Sequence, residues 1–132
     1  MRITFKTVQK ADLATSKEGI VEIYFHENAA IEKEDALAIR NHFHELLNGQ
    51  PAALLINAKD MRFISREARK ILAEGNGKGA VVGNAILVRT SLQKSFAKLY
   101  MKFASTAIHT KVFTSKRAGK EWLLKLLNKQ NS

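Results

Sequence analysis

Cysteine does not occur in this sequence, so neither a disulfide framework nor a thiolate metal site is open to it. Its 132 residues must hold together through a hydrophobic core alone, and they suffice for one domain. Proline occurs once and glycine seven times, with 45% hydrophobic and 26% charged residues, which excludes the compositions of disordered and collagen-like chains. No segment approaches the apolar length of a membrane span. The start, MRITFKTVQKADLA, alternates polar and apolar residues where a signal peptide would show an unbroken apolar run. A soluble, cytoplasmic protein is expected, and the lack of cysteine fits a reducing compartment. Acidic residues are nearly missing from the last third. Of the formal net charge of +10, residues 1–88 carry +1 and residues 89–132 carry +9, with Glu121 the one acid among ten Lys and Arg. Such asymmetry marks either a surface that meets anions or a solubility feature.

Two segments near the start, RITFKTV and GIVEIYFHEN, have the period of half-buried strands. They read as an antiparallel pair, with residues 9–16 leaving room for a short strand between them. IEKEDALAIRNHFHELLNG is a helix: acidic residues open it, Ala36, Ile39, Phe43 and Leu46 or Leu47 recur at spacings of three and four, and Gly49 and Pro51 end it. AALLINA and AVVGNAILVRT are continuous apolar runs, the form of parallel strands covered on both faces. ISREARKILAEG, SLQKSFAKLYMKFAS and KRAGKEWLLKLLNK follow as helices, with HTKVFT a strand before the last of them. On the third helix Leu92, Phe96, Leu99 and Phe103 share one face and Lys94, Lys98 and Lys102 another. Strands that alternate with single helices imply parallel crossovers, with the helices on one face or both.

Few constellations suggest chemistry. His42 and His44, two apart on a helix, lie about 200° apart around it and cannot hold one metal, while His26 and His109 lack a carboxylate nearby in sequence. GNGKG, residues 75–79, lacks the Gly-Lys-Ser/Thr ending of a phosphate loop and sits between helix and strand, so it reads as a helix exit. There is no Gly-x-Ser-x-Gly elbow. Asp60 and Glu67 could pair as carboxylates, but Arg62, Arg66 and Arg69 crowd them and favour low carboxylate pKa values over a general acid. Ser65, Thr90 and Ser91 stand where strands give way to helices and suit capping.

The order strand, strand, helix, then strand and helix three times resembles the STAS-like fold of bacterial anti-sigma-factor antagonists and their SpoIIAA-like relatives, which is also similar to that of CRAL-TRIO lipid-transfer proteins. Local likeness to uncharacterised bacterial members lies in Asp60, Ser65-Arg66-Glu67-Ala68-Arg69, Asn84-Ala85-Ile86-Leu87-Val88, Phe113-Thr114, Ala118 and Trp122-Leu123. The antagonists are phosphorylated on a serine in a Phe-aliphatic-Asp-Ser-Ser-Gly motif. Aligned on Phe63-Ile64, that serine falls on Glu67, so the resemblance implies the site of the switch without its acceptor.

The expectation is one α/β domain over residues 1–132, STAS-like (SpoIIAA-like), with a mixed, mostly parallel sheet, about four helices and antiparallel N-terminal strands. Function is expected to be non-enzymatic, a regulatory or protein-interaction module whose functional edge comprises Asp60, Ser65, Arg66, Glu67, Thr90 and Ser91. A lipid or small-molecule carrier is the alternative, with an apolar pocket lined by Phe96, Leu99, Phe103 and Trp122. A third reading binds anionic lipid, another acidic surface or, last, nucleic acid through Lys94, Lys98, Lys102, Lys116, Arg117 and Lys120. No cofactor and no metal is expected. The protein partner is unidentified, and monomer and homodimer stay open.

Overall fold

Gln9 and Lys10 alone separate β1 (Thr4–Val8) from β2 (Ala11–Thr15), and a link that short permits only antiparallel pairing. The computed structural model describes residues 4–75, 81–103 and 108–130. A second tight turn with Gly19 at φ +95° leads into β3 (Ile20–Phe25), which pairs antiparallel with β2. β2 therefore lies between the two strands that the sequence pairs with each other, and β1 and β3 run in the same direction.

From β3 onward every crossover is parallel. The chain continues through β4 (Ala30–Ile31), α1 (Lys33–Leu47), β5 (Ala52–Asn57), β6 (Phe63–Ile64), α2 (Arg66–Gly75), β7 (Val81–Leu87), α3 (Ser91–Met101), β8 (His109–Phe113) and α4 (Lys116–Gln130). The main sheet has the order β1-β2-β3-β5-β7-β8. β4 and β6 form a separate parallel pair that no sequence periodicity suggests, being two residues each. That small pair sets the entry to α2, because Ser65 N–H donates to Ile31 O at 2.9 Å just past its end.

Two apolar layers hold the sheet. Val21, Ile23, Phe25, Leu54 and Ile56 face α1, α2 and α3, while Ala53, Leu55, Ala85 and Leu87 face Leu123 and Leu127 of α4. α1 buries Ala36, Ile39, Phe43 and Leu47, the face its spacing predicts. α3 does not follow its spacing. Gln93, Ala97 and Tyr100 are buried, Phe96 is half-buried, and Leu92 and Leu99 are 58% and 37% exposed. The inward face is turned by about a quarter circle from the apolar stripe. Past Gly75, the GNGKG helix exit lies outside the described residues, as does the expected end of α3 beyond Phe103.

Candidate functional site

At the carboxyl ends of β3, β5 and β7 three loops meet the first turn of α3. Gln93 joins them: its buried amide Nε2 donates to Lys59 O at 2.8 Å and Met61 O at 3.0 Å, and its Oε1 accepts from Arg89 N–H at 2.7 Å and Thr90 N–H at 3.2 Å. Thr90 Oγ1 in turn accepts the N–H of Gln93 at 3.1 Å, so α3 begins with a capping box whose glutamine also holds the preceding loop. Asp60 is fixed from both sides, accepting from Tyr24 Oη on Oδ2 and from Arg89 Nη2 on Oδ1, both at 2.6 Å. These hydrogen bonds, that of Tyr24 foremost, hold the Asp60 carboxyl below the usual range. The same bond, followed by burial, pushes the Tyr24 phenol up to about 12. Glu27, Asn28, Asp60, Arg62, Arg89 and Thr90 line the open cleft above this knot, with a volume of about 470 Å³. Its walls carry both signs of charge.

The six residues expected at the functional edge are thus divided. Asp60 and Thr90 share the cleft, as the strand order requires, and Ser91 stands exposed beside it. Ser65 is turned inward at 8% exposure, where its hydroxyl caps α2 by accepting Ala68 N–H at 3.1 Å. Glu67 is exposed on α2, and Arg66 lies over the Phe103 ring at 5.4 Å. Asp60 pairs with Arg89, and Glu67 is not its carboxylate partner. Tyr24, Arg89 and Gln93 were missing from that set. Gln93 had a readable signal, since Thr-x-x-Gln at a helix start is capping-box spacing; Tyr24 and Arg89 reach Asp60 only through the tertiary fold.

The other two groupings need correction. Trp122 packs on Phe113, ring centroids 5.6 Å apart, in the layer beneath α4, with the sheet between it and Phe96. Phe96, Leu99, Phe103 and Trp122 consequently line no common pocket. The void that Phe96 does line, between α2, α3 and the sheet, is about 30 Å³. The basic residues divide across the sheet in the same way. Lys94 and Lys98 are exposed on α3 and Lys102 at its C-cap, whereas Lys116, Arg117 and Lys120 belong to α4 on the opposite face. There Lys116 pairs with Glu22 at 2.9 Å and Arg117 with Glu121 at 3.2 Å. Among the described residues no three His, Cys, Asp or Glu side chains converge as metal ligands, and no helix is long and apolar enough to cross a membrane.

This strand order, with an antiparallel start and four helices, defines an α/β domain of the SpoIIAA-like fold. A solved structure shares it: an uncharacterized protein from the DUF3478 family of Shewanella loihica PV-4, described as having a SpoIIAA-like fold, is 18% identical over 92% of each chain with a TM-score of 0.57. Identity that low shows likeness of fold alone. In sequence the chain belongs to the family described as a domain of unknown function, DUF7793, which matches residues 14–127. No curated protein matches it.

Proposed function

We propose that this chain is a non-enzymatic interaction module that takes a protein partner on the surface formed by the loop 59–65 and the facing sides of α2 and α3. One observation carries this reading. Three of the four large apolar side chains left exposed among the described residues, Phe63, Leu92 and Leu99, lie on β6 or on the side of α3 that touches it, and Met101 alone stands on the far side of that helix. Apolar side chains gathered on one surface are typical of protein contacts. Behind them the scaffold is rigid, with both helix starts capped and the loops tied through Gln93.

The carrier alternative requires an apolar cavity on the order of several hundred Å³. A void of about 30 Å³ supports the module instead. Asp60, ionised and engaged by Tyr24 and Arg89, is a poor proton donor, and the capping hydroxyl of Ser65 faces inward, which supports a role without catalysis. Glu67 takes the place of the antagonists' phosphoserine, so binding here would run without a kinase.

A photo-crosslinking amino acid placed at Leu92, with a control at Lys125 on α4, tests the reading in cells of the organism that encodes the chain. A protein adduct from position 92 and none from 125 is expected. Failure of position 92 to yield any adduct, or equal yields at both, removes the proposal. A lipid mass retained in native mass spectrometry would move it to the carrier.

A further inference from the structure

Arg69 is a buried cation without an anion. Its side chain comes from the inner side of α2, the residue is 9% exposed, and its guanidinium lies over the Phe96 ring at 5.7 Å. Nη1 donates to Ile64 O at 2.8 Å, but Nε is buried and has no acceptor. None of the ion pairs among the described residues includes Arg69. Glu67 is two positions away, hence about 160° around the helix, and it is exposed. Taking a charge out of water without an opposite charge is costly. The Ile64 carbonyl and the Phe96 ring occupy part of the guanidinium and leave Nε over for a ligand.

The surroundings state what that ligand is. Beside Arg69 the void of about 30 Å³ admits a water-sized group, the tip of a carboxylate, and no acyl chain. The body of the ligand must stay outside. Outside lie Phe63 at 38% exposure and, on α3, Leu92 and Leu99, two turns and about 10 Å apart along one line. Such a strip fits the regularly spaced apolar residues of a helix. Its borders are positive. Arg62 and Arg66 stand exposed on one side and Lys98 and Lys102 on the other, and α3 contains no acidic residue.

We propose that the furrow between α2 and α3 binds an acidic amphipathic helix of a partner protein, with one of its carboxylates reaching the fork of Arg69. This deepens the interaction-module reading and rests on it. A guanidinium takes a carboxylate through two parallel N–H bonds, a geometry that neither lysine nor a neutral amide reproduces.

The test uses the full chain and a fluorescent helical peptide of about 15 residues, with leucines at helical spacing and glutamates flanking them. Versions with glutamine or lysine at the glutamate positions serve as comparison. The glutamate peptide is expected to bind about tenfold more tightly than the glutamine one, and the lysine peptide not at all. Leu92→Ser with Leu99→Ser should weaken binding about tenfold, and Arg69→Met should remove the preference for glutamate while the chain stays folded. Should Arg69→Met not fold, the Arg69 Nε–H resonance of the unmutated chain decides, since carboxylate binding must shift it. Equal binding of the glutamate and glutamine peptides, or an unmoved Nε–H signal, overturns the proposal. So does sedimentation with phosphatidylglycerol vesicles when no peptide binds, or a concentration-dependent dimer that covers Leu92 and Leu99. A protein adduct from position 92 combined with any of these results leaves the module standing and removes the acidic helix alone.

Discussion

Asp60 shows how two neighbours give one carboxylate opposite consequences at the ends of the pH scale. Its pKa is lowered in the fold, so the stability it contributes is present above the ordinary carboxylate range and is lost as pH falls through and below that range. Tyr24 is the reverse. Its pKa rises from the usual 10.0 to about 12, so its contribution is complete below pH 10 and disappears on the way to 12. Tyr24→Phe should cost on the order of 1 kcal/mol at neutral pH, because the pair is partly exposed, and should flatten the unfolding free energy between pH 10 and 12. Denaturant titrations across that window check it, and an unchanged slope in the variant would show that Tyr24 is not the titrating group. Gln93→Ala is the harsher change. It leaves Met61 O and the N–H groups of Arg89 and Thr90 without this partner, while Lys59 O keeps Arg89 Nη2 at 2.6 Å, and we expect a loss of about 3 kcal/mol in chemical unfolding. Ser65→Ala removes one capping bond and should cost about 1 kcal/mol without affecting partner binding.

Among the elements, α1 and α3 differ in how much of them could be read beforehand. The apolar residues of α1 alone meet the core, so spacing identifies its buried face. In α3 the loops 59–61 press their carbonyls against the helix start, and a glutamine serves them where an apolar side chain would leave them unpaired. Apolar spacing therefore points to Leu92 and Leu99, whereas the fold buries Gln93 and Ala97. The same blindness to polar partners hid Tyr24 and Arg89 from the candidate site, although Asp60, Thr90 and the capping role of Ser65 were legible as helix starts at strand ends. Leu92→Ser accordingly should alter the melting temperature little, within about 0.5 kcal/mol in stability. Phe96→Ala, which removes a ring packed against Phe63 and Arg69, should cost about 3 kcal/mol. Comparable losses from both would mean that Leu92 is buried in solution.

For the molecule as a whole, the class of fold followed from the order of strands and helices, and the side on which α4 packs did not. Parallel crossovers keep one hand, and β3, β5, β7 and β8 succeed one another in a single direction, so α1, α2 and α3 fall on one face. α4 packs on the other face, beneath β5 and β7, and is not part of a crossover between the described strands. Opposite placement also splits the positive charge. Replacing Lys94, Lys98 and Lys102 with glutamine, or Lys116, Arg117 and Lys120, should each lower the salt needed for elution from heparin without abolishing retention. Complete loss from either triple substitution would locate anion binding on that one face.

α4 lies against β5, β7 and β8 and reaches Ile20 at the start of β3, so helices cover both faces of the sheet there. Close approach makes this possible. A Cβ on Gly83 would stand 2.5 Å from Leu126 Cδ1 and one on Gly119 3.2 Å from Leu87 Cδ2. The β1–β2 hairpin, by contrast, hangs from β3 at the two-layer end. Opening the hairpin breaks one ladder and leaves every crossover intact, so amide protons of β1 should exchange with deuterium through a local excursion. Those of β5 and β7 can exchange only when both layers come off together. The chain should therefore fray from its N-terminal end while the surface around Leu92 stays assembled, and the last amides to exchange should report the global unfolding free energy.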